Sequence, residues 1–162
     1  MPSYTLTDWE TDDEPYTLIG IHATIEPYRM AYKINKHLKT EFSRMSRDQD
    51  VIMPEYVSNY PVYYYSDSIE NTTIYLTPNR FTGKLKSLSS SLGLFEDQQV
   101  PEIKTVLLKE YQSVDFLLKI EKDEQSFPLK KWLNNLIEIP QVISAYTLDR
   151  FKIKNQDYLI FE

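Results

Sequence analysis

Glu110 and Asp115 are the residues whose types and spacing most invite a chemical reading: two carboxylates five positions apart, inside the apolar stretch from Leu107 to Ile120. Paired carboxylates do acid–base work when they share a proton or flank a scissile bond. The stretch reads as one buried strand, around which the chain is organised. On a continuous strand, a separation of five puts the two side chains on opposite faces and about 17 Å apart. That is too far for either mechanism unless a bulge or bend near Gln112 and Ser113 reunites them. The structural alternative is favoured. In it, Asp115 starts the strand proper and accepts hydrogen bonds from backbone or from an arginine, Arg29 or Arg44. Val114, Phe116, Leu118 and Ile120 then face the core.

Other chemistries lack their residues. There is no Cys, so disulfides, thiolate nucleophiles, Zn–Cys sites and Fe–S clusters are excluded. His22 and His37 are the only histidines, and neither sits at a metal-binding spacing. His22 suits a hydrogen-bonded structural role better than that of a general base; His37 suits a helix C-terminus. None of the three glycines falls in a phosphate-binding loop, and no nucleophile elbow is present. No cofactor and no metal are expected. The candidate polar site is Arg29, Asn35, Glu110 and Asp115. Asn is a poor helix former, so Asn35 is expected either to tie down an adjacent loop or to touch a ligand or partner.

Tyrosine is abundant, with 13 residues. Tyr63, Tyr65 and Tyr75 form the candidate interface, weighed against packing in a core or hairpin. The Tyr63-Tyr64-Tyr65 run lacks interleaved Arg or Lys, and the chain carries a net charge of −6. A phosphate-backbone binder needs a basic face, so nucleic acid is disfavoured. No apolar run is long enough to span a membrane, and the N-terminus shows no secretory signal. The expected location is the cytoplasm.

The elements that position these residues follow from periodicity. Residues 1–15 read as an acidic arm, which Trp9 could pin, and residues 16–162 as one domain. Tyr16 to Ile25 alternates as a strand, with Ile19, Ile21 and Ala23 on its core face. Glu26 and Pro27 open a helix over 26–39 carrying the stripe Met30, Ala31, Ile34 and Leu38. Glu41 to Met45 continues as a strand, and 46–60 reads as a loop. The segments 61–66 and 72–77 form a hairpin. Residues 79–102 read as a long variable connection, a flap, with one helical turn at 84–88. Ser126 is expected to cap a helix bearing Leu129, Trp132, Leu133, Leu136 and Ile137. Strands at 142–148 and 157–161 close the chain.

The order β-α-β-ββ-loop-β-α-β-β predicts an α+β fold, a mostly antiparallel sheet with two helices on one face, ferredoxin-like or ACT-like. The strand–helix–strand units could instead be right-handed parallel crossovers.

Three segments together resemble the bacterial IPExxxVDY family. The naming motif lies at Leu108-Lys109-Glu110-Tyr111-Gln112-Ser113-Val114-Asp115-Phe116. Glu110, Val114 and Asp115 match; Leu108-Lys109 stands for Ile-Pro and Phe116 for Tyr, marking a divergent member. The strand and helix at Leu18–His22 and Tyr28–Asn35, and the end from Ile139 to Tyr146 closing on Leu159-Ile160-Phe161, resemble the family's other shared segments. The resemblance implies a bacterial cytoplasmic protein and supplies no reaction.

The sequence therefore points to a non-enzymatic module that binds another protein or itself. The alternative is a small-molecule sensor or unrecognised enzyme, with a pocket between helix 26–39 and the sheet.

Overall fold

The computed structural model describes residues 14–84 and 101–162. Among them are ten strands and two helices: β1 (Thr17–Ala23), α1 (Pro27–Leu38), β2 (Ser43–Arg44), β3 (Gln49–Ile52), β4 (Val57–Tyr60), β5 (Tyr63–Asp67), β6 (Thr72–Pro78), β7 (Arg80–Lys84), β8 (Glu102–Val106), β9 (Phe116–Ile120), α2 (Leu129–Ile137) and β10 (Val142–Leu148). The main sheet has six strands in the order β10-β1-β9-β6-β5-β2, all neighbours antiparallel. β3–β4 and β7–β8 are separate two-stranded ribbons. The α+β class is as expected from the sequence.

Within this sheet, β1-α1-β6-β9-α2-β10 is a β-α-β-β-α-β unit in the split order of ferredoxin-like folds. β9 and β10 are parallel to each other but separated by β1, which is antiparallel to both. No crossover therefore joins two adjacent parallel strands. β2 to β5 are inserted between α1 and β6, and the β7–β8 ribbon between β6 and β9.

β1 runs through the centre and is buried on both faces. Ile19, Ile21 and Ala23 pack with Met30, Ala31 and Ile34 of α1, Leu136 of α2, and Phe116, Leu118 and Ile120 of β9. Both helices lie on this face because each has a single apolar stripe to bury. The expectation that β1 has only this core face needs correcting. A second core on the opposite face joins Leu18, Tyr60, Leu107, Leu108, Val114, Leu117, Leu148, Leu159 and Phe161. Val114 belongs to this second core rather than to the face of Phe116. Gly20 of β1 faces the second core without a side chain. A Cβ there would meet Leu148 Cδ2 at 3.0 Å and Val114 Cγ2 at 3.1 Å.

Several elements differ from expectation for identifiable reasons. The stretch 107–120 is not one strand: only Phe116–Ile120 is β9, preceded by a 3₁₀ turn at Lys109–Tyr111. Residues 46–60 are not a loop but hold the β3–β4 hairpin, with a polar cross-strand pair, Asn59 Nδ2 donating to Asp50 Oδ1 at 2.6 Å. Ser126 does not cap α2. The helix begins three residues later, after Pro128, and Ser126 instead donates its N–H to Asp123 Oδ1 at 2.7 Å. Residues 157–161 form no strand; Gln156–Leu159 is a 3₁₀ turn, whose Asn155 side chain accepts from Asp157 N–H. The long connection at 79–102 begins and ends as the strands β7 and β8. Residues 1–13 of the arm, Trp9 included, and 85–88 of the expected helical turn lie outside the described residues.

Gly20→Val should destabilise the fold by about 1–3 kcal/mol through overpacking against Leu148 and Val114. Urea unfolding checks it; an unchanged midpoint would mean that the two side chains yield freely.

Candidate functional site

Asp115 is the last residue before β9, and it closes the end of the sheet on both sides. Its N–H donates to Ile21 O of β1 at 3.0 Å, and its carbonyl accepts from Asn79 N–H, just past β6, at 2.8 Å. Its side chain is used twice as well. Oδ2 accepts from Ala23 N–H at 2.9 Å, and Oδ1 accepts from Arg80 Nε at 2.6 Å. Arg80 Nη2 also donates to Ser113 O at 3.1 Å. The arginine partner is thus Arg80, not Arg29 or Arg44. Arg44 pairs instead with Asp48, whose hydrogen bond raises the guanidinium's pKa.

Asn79 supports this junction from beneath and is 0% exposed. Nδ2 donates to Tyr111 O at 2.8 Å and to Val114 O at 2.9 Å; Oδ1 accepts from Leu108 N–H at 2.9 Å. Its carbonyl accepts from Leu107 N–H at 2.7 Å. One buried amide therefore completes the turn 107–114, which otherwise pairs Tyr111 N–H with Leu108 O and Val114 N–H with Tyr111 O. Asn79 is the residue that sequence reasoning missed. Its signal is weak: an Asn directly after Pro78, at the end of an apolar strand.

The four candidate polar residues do not converge. Glu110 is exposed on the 3₁₀ turn. Asn35 fastens the chain leaving α1: its Oδ1 accepts from Phe42 N–H at 2.7 Å and Thr40 Oγ1 at 2.9 Å, and Nδ2 donates to Phe42 O at 3.1 Å. It spans the left-handed exit at Lys39, φ 57°. Arg29 is half-exposed and approaches Glu26 at 3.6 Å. Arg29 and Asp115 do share a groove of about 480 Å³ between the start of α1 and the sheet. Its one carboxylate from the strands is already occupied on both oxygens. His22 is paired structurally, its Nε2 2.7 Å from the Tyr146 hydroxyl with the two rings stacked. Among the described residues no group of three His, Asp or Glu is placed to hold a metal.

The candidate interface is corrected by burial. Tyr63 is a core residue, and Tyr65 packs on the same core against Phe42. Tyr75 belongs to the opposite core and faces Phe161. Burial pushes the hydroxyl pKa of Tyr65 and Tyr75 up, with Asp67 adding to the first and Glu121 to the second. Burial likewise raises that of Tyr60, whose hydroxyl makes no hydrogen bond of normal geometry. On β5, alternation puts Tyr64 on the face opposite Tyr63 and Tyr65, and Tyr64 is the exposed member of the run.

Comparison with family models, curated proteins and solved structures gives no match.

Asn79→Ala should cost about 3 kcal/mol, because Leu108 N–H and the Val114 carbonyl lose their partner inside the protein and the Tyr111 carbonyl keeps only Val114 N–H. Asp115→Ala should cost about 1–3 kcal/mol. Most of that comes from the Ala23 N–H, since the Arg80 pair is half-exposed and screened. Glu110→Ala should stay within about 0.5 kcal/mol of wild type. Chemical denaturation orders the three; a cost for Glu110→Ala as large as that of Asp115→Ala would overturn the assignment.

Proposed function

We propose that the protein is a non-enzymatic module that associates with a second copy of itself through the free edge of β10. The observation that carries the reading is the asymmetry of the sheet's two edges. One edge, β2, has two residues; the other, β10, has seven and among the described residues pairs on one side only. Val142-Ile143-Ser144-Ala145-Tyr146-Thr147-Leu148 contains no charge, no Pro and no Gly. Edge strands of monomers are usually guarded by Lys, Pro or a covering element. Here the guard found among the described residues is a bulge at Ile143, where the register with β1 shifts; residues 144–148 stay regular. Ile143 is 74% and Tyr146 41% exposed. An uncharged edge lets two copies of a chain with net charge −6 pair antiparallel about a two-fold axis without like-charge contact.

Tyr63, Tyr65 and Tyr75 play no part in this reading: Tyr63 is buried, and Tyr65 and Tyr75 are half-buried against the two cores. The small-molecule alternative keeps one supporting observation, the groove at Arg29 and Asp115. It is weakened by the two hydrogen bonds that consume the Asp115 carboxylate. No general acid or base role is assigned to Glu110 or Asp115.

Membership of the IPExxxVDY family is part of the proposal, and a bacterial cytoplasmic setting rests on that resemblance alone. Two of the three matched motif residues, Val114 and Asp115, are used at the β1–β9–β6 junction. A motif of that kind marks a fold rather than a reaction. Among the described residues no helix is long and apolar enough to cross a membrane.

Light scattering after size exclusion tests the association. The wild-type chain, 19.2 kDa, should run at twice that mass at about 100 µM, as a micromolar interface requires. Ile143→Lys with Tyr146→Lys should return it to the single-chain mass with its circular dichroism unchanged. A wild-type monomer at that concentration, or a dimer indifferent to both lysines, rejects the β10 interface.

A further inference from the structure

We propose that the groove between the β7–β8 ribbon and the turn before β9 binds the phosphate group of a small molecule. The groove has a volume of about 480 Å³ and is lined by Arg80, Thr82, Lys104, Lys109 and Gln112 together with Phe81, Thr105 and Val106 of the ribbon; among the described residues no carboxylate lines it. In a chain with net charge −6, a concave surface whose described lining holds three cations and no acid is the feature least explained by the fold.

Its geometry comes from two elements held in fixed relation. On the ribbon, Thr82 is directly opposite Lys104 and Arg80 is opposite Val106. Arg80 and Lys104 are therefore diagonal neighbours on one face, about 7–8 Å apart between backbone positions. Like charges so placed repel, and an anion between them removes the cost. The second wall is the turn carrying Lys109 and Gln112. Asn79 fastens that turn to the end of β6, one residue before Arg80, through the N–H groups of Leu107 and Leu108. The two walls thus cannot drift apart without breaking a buried amide's hydrogen bonds.

The donors are oriented in advance. Arg80 is held by Asp115 at Nε and by Ser113 O at Nη2, and its Nη1 makes no hydrogen bond among the described residues. Asp115 offsets the charge of Arg80 but leaves its outward N–H donors. Lys104 and Lys109 form no ion pair among the described residues. Two ammonium groups, one fixed guanidinium, the Thr82 hydroxyl and the Gln112 amide suit a dianion with several acceptor oxygens better than a single carboxylate. The volume fits a molecule of about nucleotide size. This site is separate from the β10 edge and does not depend on self-association.

The test is titration calorimetry of the full chain with inorganic pyrophosphate at fixed ionic strength. Parallel arms use AMP, sodium sulfate and a single-stranded oligonucleotide. Pyrophosphate or AMP should bind, sulfate should bind more weakly, and Lys104→Gln and Lys109→Gln should each weaken binding about tenfold, or about 1.4 kcal/mol. Lys36→Gln, on exposed α1, should leave it unchanged. Both groove lysines are exposed, so their variants should keep the wild-type melting temperature. The proposal is overturned by no heat at about millimolar pyrophosphate, by equal loss in Lys36→Gln, or by binding of the oligonucleotide alone.

Discussion

The fold depends on one buried amide. Asn79 stands where β6 hands over to the β7–β8 ribbon, and its side chain meets Leu108 N–H and the carbonyls of Tyr111 and Val114 in the turn 107–114. That turn carries Leu107, Leu108 and Val114 into the second core, so its backbone must be buried with it. Burying unpaired peptide groups costs more than the leucines contribute unless partners are supplied. An ionised carboxylate could not do the work of Asn79, because it accepts but does not donate, and Nδ2 makes two of the three side-chain bonds. Asp115 then adds the lateral ties, to β1 through Ala23 and to the ribbon through Arg80.

This arrangement changes what a ferredoxin-like sheet offers. Such a sheet has helices on one face, and its other face is available for partners or ligands. Here the second face is covered by the chain itself: by Tyr60 and Val62 of the first insertion, by the turn 107–114, and by the C-terminal segment ending in Leu159 and Phe161. Lys119 shows how closely the tail is seated. It donates from Nζ to Leu159 O at 2.8 Å, and its ammonium lies over the rings of Tyr16, Tyr75 and Phe161. With both faces occupied, what remains for recognition is an edge of the sheet and the grooves at its ends.

Much of this was legible in the sequence. β1, α1, the β5–β6 hairpin, the apolar face of α2 and β10 follow from period and propensity, because each has a regular apolar pattern. The same rule misread 107–120 as a single strand. An apolar run bounded by no Gly or Pro reads as continuous, yet here Leu107, Leu108 and Val114 are buried from an irregular turn held in part by a side chain 29 to 35 residues away. It misread 157–161 for a similar reason: Leu159 and Phe161 alternate, but they fill a core from a 3₁₀ turn rather than from a ladder. It missed β3–β4 because that hairpin is polar on much of its surface, with Asp50 and Asn59 paired across it. Local pattern reports which residues are buried more faithfully than how their backbone is satisfied.

The candidate carboxylates make the same point at the level of chemistry. Strand alternation separated Glu110 from Asp115 for a reason that the structure replaces: the two lie on no common strand. Yet the outcome for catalysis is stronger than alternation alone would give. A general acid or base must have a free oxygen with access to a substrate proton. Asp115 has committed one oxygen to a backbone N–H and the other to a guanidinium. Freeing either would loosen the ends of β1 and β6 at the place where Asn79 holds the second core together. A proton-transfer role for Asp115 would therefore have to be taken out of the stability of the sheet's own junction. Glu110, exposed on the turn, is free of that constraint. The carboxylate pair dissolves into one structural residue and one solvated one, and the charge that remains unexplained by the fold is cationic rather than acidic.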